Sequence, residues 1–376
     1  MNHRRVVFID LLRGWAGLVM IEVHVVNAFV LPEIRSAGWF PILNFVNGLV
    51  APSFLFVAGL VFVVVSERKA TEFRGYGGVF WKQMGRISLI WVVGYCLHLP
   101  FFSLRRTLNE TTPEHWLKFY QADVLHCIAA GLLAIFAARV IVKRDEVFER
   151  LLWVGAFAAV VMAPFLWDVD FNRSVHPLVS AYVNGQHFSQ FPLFPWLGFL
   201  FFGGIVGVKF LNARARDREE LFIRSIVLWG IGCVAVALLM GDHFPIPGAS
   251  KDIRPQPVFF LLRLGVVLLL LGGCWWYEQF RKTERSFVLT VSRETLLVYA
   301  SHLLIIYGTL WNDQSLAALF GQSWPLEQCA AAAAALAVVM IMMAELWGRM
   351  KQKSRSVARN LSIAGGLVVL LVFLVQ

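Results

Sequence analysis

Eleven apolar stretches run through this chain, most of them about as long as a bilayer is thick, and they leave little choice of fold. They cover 8–31, 42–65, 85–103, 123–142, 150–167, 193–211, 222–241, 258–277, 292–311, 326–347 and 360–376. A helix needs about 20 residues to cross the hydrocarbon region. Of the 376 residues 58% are apolar or aromatic and only 15% are charged, against about 25% charged in soluble domains. That balance excludes an ordinary cytosolic enzyme, a disordered chain and a disulfide scaffold. The expectation is an all-α polytopic membrane protein, one transmembrane domain over 1–376, with 360–376 the weakest span.

The five cysteines, Cys96, Cys127, Cys233, Cys274 and Cys329, all lie in apolar runs and form no CxxC pair. They read as packing residues. Met1-Asn2-His3-Arg4-Arg5 resembles the start of a signal peptide, but Asp10, Arg13, Glu22 and His24 interrupt the apolar run behind it. The run reads as a retained helix.

The formal charge of +10 sits in short loops, so it reads as a topology signal and not as a nucleic-acid surface. With the N-terminus in the cytoplasm, 25 of the 34 Lys/Arg fall in inner segments and seven in outer loops. The longer connections 104–122, 168–192 and 242–257 are then outside. A multi-pass protein of a bacterial inner membrane is expected.

Charges inside hydrocarbon are costly and mark candidate sites. The first stretch carries Asp10, Arg13, Glu22 and His24. At about 100° per residue, Asp10, Arg13 and His24 share one face, and Glu22 points elsewhere. Arg13 and His24 are separated by about 16 Å along the axis. Two readings fit. Asp10 and Arg13 form a structural ion pair while His24 bonds a neighbouring helix, or the stripe is a functional path between the two sides.

Other polar positions stand out. Asp123 and His126, at i and i+3, suit an oriented general base, half a metal site or an interfacial hydrogen-bonded pair. No second ligand cluster accompanies them, so no metal is expected. His98 reads as a packing histidine. Arg263 pairs with Asp123 or with an anionic substrate. His302 falls mid-membrane with Tyr299 one turn before it, and Glu294 and Glu345 read as interfacial. In Phe191-Pro-Leu-Phe-Pro-Trp196-Leu-Gly198, Trp196 suits an interfacial anchor or a platform for a sugar ring. Pro52 is expected to kink the second span.

Together these segments resemble one family. Ile9-Asp10-Leu-Leu-Arg13-Gly14 with Met20 and His24, Pro52-Ser-Phe-Leu-Phe-Val-Ala-Gly59, Val124-Leu-His126-Cys-Ile128, Phe191 to Gly198, and Leu296-Leu-Val-Tyr-Ala-Ser-His302 are similar, in order, to the heparan-alpha-glucosaminide N-acetyltransferase catalytic-domain family. The spacing Arg13-x10-His24 also resembles the pair of the broader membrane acyltransferase superfamily. The lysosomal members carry Asn where this chain has His24.

The resemblance implies a polytopic enzyme that moves an acetyl group from cytoplasmic acetyl-CoA, its co-substrate, to an amino or hydroxyl group of an extracytoplasmic sugar or glycan by direct ternary-complex transfer. His24 would be the general base, with His126 and Asp123 as the competing pair. Arg13, with Asp10, would contact CoA. Trp196, Arg263 and His302 would bind the acceptor. Alternatives from other classes are a proton-coupled transporter or flippase of an envelope saccharide, and an assembly partner in glycan synthesis. Homodimerisation is left open.

Overall fold

A computed structural model describes residues 6–186, 188–241, 250, 252–281, 286–308 and 315–376. Arg4, Arg5, Lys251, Lys282 and Arg285 of the loop-charge pattern, and the end of the expected span 292–311, lie outside them. The described residues form helices and contain no strand; one isolated bridge joins Val30 and Trp324.

The main helices are α1 (Val7–Phe29), α2 (Val50–Ser66), α3 (Gly78–Leu97), α4 (Val124–Ile141), α5 (Asp145–Leu166), α6 (Leu193–Arg214), α7 (Glu219–Met240), α8 (Pro257–Phe280), α9 (Phe287–Arg293), α10 (Thr295–Tyr307), α11 (Leu326–Lys353) and α12 (Arg355–Val375). Each of the eleven expected stretches contains helix among its described residues. Among the described residues eight helical segments are long and apolar enough to span a membrane, and nine if α9 and α10, bent by 89°, count as one. The two left over are α1 and α3, where Asp10, Arg13 and Glu22, and Lys82 and Arg86, lower the hydropathy. The chain is a multi-pass membrane protein. On α12 almost every side chain is exposed, an apolar surface that lipid covers.

Several boundaries differ from expectation. Helix α3 starts at Gly78, seven residues before the expected span. Pro52 occupies the first turn of α2, inside the segment Phe40–Arg74 that counts as one span. The break precedes it, at Gly48–Leu49, after a short helix Phe40–Asn47.

The chain folds into two units, one of 1–50, 95–119 and 282–376, the other of 51–94 and 120–281. In the first, α1 packs against α9, α10 and α11, and α11 against α12. Its apolar core joins Val25, Val26 and Phe29 of α1 to Ile306 of α10 and to Cys329 and Ala333 of α11. The ring of Trp324 stacks on Phe29, with centroids 4.5 Å apart.

In the second unit α5 packs on α6, α6 on α4, and α7 on α8. Helices α2 and α6 cross with backbones nearly touching. A Cβ on Gly59 would sit 1.9 Å from the Leu200 carbonyl oxygen, and one on Gly203 1.8 Å from that of Phe56. Small residues at such a crossing let dispersion replace a hydrophobic drive that lipid does not supply.

Candidate active site

Helix α1 brings most of the sequence-predicted residues of the first unit together. At its start, Arg13 Nη2 donates to Asp10 Oδ1 at 2.8 Å. Ser292 of α9 joins them: Arg13 Nε donates to Ser292 Oγ at 3.0 Å, and that hydroxyl donates to Asp10 Oδ1 at 3.2 Å. Asp10 and Ser292 are buried, while the Arg13 side chain keeps 24% of its surface exposed. The two bonds from Arg13, braced by the third, fix the plane of the guanidinium. Gly14 makes this geometry attainable, because a Cβ there would lie 2.2 Å from the Val288 carbonyl oxygen of α9. The ion pair foreseen for Asp10 and Arg13 is present, and the sequence-based reading missed its third member, 279 residues from Arg13.

His24 lies further along α1. Its ring is 5.1 Å, centroid to centroid, from that of His302 on α10, at a tilt of 48°. Tyr307 closes the group, with its ring edge-on to His24 at 5.8 Å and its hydroxyl donating to the His24 carbonyl at 3.2 Å. His302 is wholly buried. Its Nδ1 lies 2.7 Å from the carbonyl oxygen of Val298, one turn back. Glu22 points away from this group and meets Asn47 Nδ2 at 3.5 Å. Arg35 donates to the carbonyls of Val26 and Asn27, satisfying acceptors at the end of α1. Glu294, at the bend between α9 and α10, pairs with Lys351; Glu345 pairs with Arg349.

In the second unit, Asp123 and His126 form a capping box at the start of α4. Asp123 Oδ1 accepts from the backbone N–H groups of Leu125 and His126, and the Asp123 N–H donates to His126 Nδ1 at 3.3 Å. The two side chains also meet at 2.8 Å. The ring is fully buried. A Cβ on Gly94 of α3 would come within 2.9 Å of it, so Gly94 gives the imidazole its space. This local pattern makes the i, i+3 pair a helix cap.

Trp196 is 5% exposed. The rings of Phe191, Phe199 and Phe259 lie 4.8, 6.0 and 5.8 Å from it, and the Arg263 guanidinium stands 3.6 Å from the Phe259 centroid. Three aromatic neighbours around so enclosed an indole favour packing over an interfacial anchor or a sugar platform. The regular part of α6 begins at Pro195, after a cis peptide bond from Phe194.

The geometry of α1 is that of one continuous 23-residue helix with a held guanidinium near its start and an imidazole cluster further along. No curated protein compared with the chain matches it. A family model described as an acyltransferase domain matches residues 6–344, a span that takes in α1 to α10 and about two thirds of α11. With that match over most of its length, this multi-pass protein belongs to the acyltransferase domain family.

Proposed function

We propose that this acyltransferase moves an acetyl group from cytoplasmic acetyl-CoA to a hydroxyl or amino group of an extracytoplasmic sugar or glycan. The observation that carries the reading is the single face of α1, with Asp10 and Arg13 held by Ser292 near one end and His24 beside His302 about 16 Å further on. Arg13 offers charge-assisted hydrogen bonds to a CoA phosphate. The pantetheine arm, long and thin, carries the thioester along the helix. Neutral imidazole is available near pH 7, and His24 takes the base role. The resemblance of five segments to the heparan-alpha-glucosaminide N-acetyltransferase family supports a sugar acceptor, and the basic loops support an N-terminus in the cytoplasm of an inner membrane.

The step balances without a cofactor. The acceptor's oxygen or nitrogen attacks the thioester carbonyl, the new C–O or C–N bond forms, and the C–S bond breaks. The proton leaves the nucleophile for His24 and passes to the departing thiolate, releasing CoA as the thiol. Purified protein in vesicles, given labelled acetyl-CoA and a panel of amino sugars and envelope glycans, should move label to an acceptor. Uptake of a sugar driven by a pH gradient, with no labelled product, would instead favour a carrier.

A further inference from the structure

His302 holds the most informative unmet polar atom near the α1 imidazole. The side chain is fully buried, and its Nε2 has no hydrogen-bond partner among the described residues. Buried polar atoms are nearly always paired, so one left over calls for a reason. The other ring nitrogen decides its character. Nδ1 lies 2.7 Å from the Val298 carbonyl, and a carbonyl oxygen only accepts. Nδ1 therefore carries the proton, and in the neutral ring Nε2 is left as a lone pair that only accepts. Tyr299, edge-on at 5.9 Å, and His24, at 5.1 Å, flank the ring.

We propose that His302 Nε2 accepts a hydrogen bond from the acceptor substrate, holding an O–H or N–H donor of the sugar beside His24. The inference rests on the acyltransfer reading above and sharpens its acceptor. The group held at His302 carries an O–H or N–H, because a carboxylate or carbonyl oxygen offers no proton to this lone pair. His24 acts on the nucleophile's own proton, so the two imidazoles have separate tasks. Loss of His24 lowers turnover, whereas loss of the His302 lone pair weakens the hold on the acceptor.

Two substitutions separate the lone pair from the rest of the ring. In His302→Asn the amide sits near Nδ1, still able to donate to Val298, with nothing at the Nε2 position. In His302→Gln the amide oxygen reaches toward the Nε2 position as an acceptor. Where the wild type transfers label from acetyl-CoA to a sugar of the panel, His302→Asn should raise the acceptor KM about 10-fold or more, with the acetyl-CoA KM unchanged. His302→Gln should recover most of that loss. Nitrogen NMR of histidine-labelled wild type, with the His302 signal identified by its absence from His302→Gln, should show the proton on Nδ1. A proton on Nε2 overturns the inference whatever the activity, and so does an unchanged acceptor KM in His302→Asn. A wild type that transfers nothing to any sugar overturns the acyltransfer reading and this contact with it, whereas transfer with an unaffected His302→Asn overturns the contact alone.

Discussion

Replacing Gly14 with alanine tests the joint between α1 and α9. The added Cβ would lie 2.2 Å from the Val288 carbonyl oxygen and 2.7 Å from Val288 Cγ1. Ordinary contact begins near 3.4 Å, so α9 must retreat by about 1.2 Å, and backbone does not yield as a flexible side chain does. Overpacking of this kind costs about 1–3 kcal/mol. Ser292 is one turn after Val288 on the same helix. The same retreat takes its 3.0 Å bond from Arg13 toward 4 Å, outside hydrogen-bond range. A hydrogen bond to a charged group contributes about 1.5–3 kcal/mol. The two losses share one displacement and do not simply add, so Gly14→Ala should destabilise the protein by about 2–4 kcal/mol. Equilibrium unfolding in mixed detergent measures this, with Ser292→Ala as the partner in a double-mutant cycle. The double mutant should lose less than the sum of the singles. A Gly14→Ala protein within about 0.5 kcal/mol of wild type would refute the close α1–α9 approach and its role in holding Arg13.

Arg13→Ala should weaken acetyl-CoA binding by about 1.5–3 kcal/mol; calorimetry showing unchanged affinity in a folded variant would remove Arg13 from the donor site. Asp123→Asn keeps a good N-cap but no carboxylate, so the capping role predicts turnover within a few-fold of wild type. A loss of about 10²-fold or more would make the Asp123–His126 pair an oriented base instead. Cysteine labelling should reach position 180 from the outside and position 215 from the cytoplasm, and the reverse pattern would undo the topology read from the loop charges.

Local patterns gave away most of the fold because hydropathy acts residue by residue. Each apolar stretch holds helix among its described residues, and even the charged α1 was visible as an apolar run. The misplaced start of α3 has a simple cause: Lys82 and Gln83 dilute the apolar signal of 78–84, which the helix nevertheless includes. The break in the second span lies one turn before Pro52, at Gly48–Leu49, because a proline denies the carbonyl four residues back its N–H partner. The site divides the same way. The Asp10–Arg13 pair is an i, i+3 contact on one helix and could be foreseen. Ser292 and the meeting of His24 with His302 depend on α9 and α10 returning to α1 after more than 250 residues, which no local pattern encodes. Trp196 read as an interfacial anchor or a sugar platform, and its burial follows from Phe191 and Phe259, the latter on another helix.

The central claim is that His24 on α1 is the base of an acetyl transfer. Turnover of labelled acetyl-CoA onto a sugar acceptor, compared between wild type, His24→Ala and His24→Asn in vesicles, tests it most directly. The account predicts a fall of about 10²–10⁴-fold in both variants, because neither alanine nor a neutral amide takes a proton near pH 7. CoA binding should be largely kept, and no acetylated protein should accumulate without acceptor. Near-normal turnover in His24→Asn would make His24 a positioning residue, and wild-type turnover in His24→Ala would contradict the claim outright.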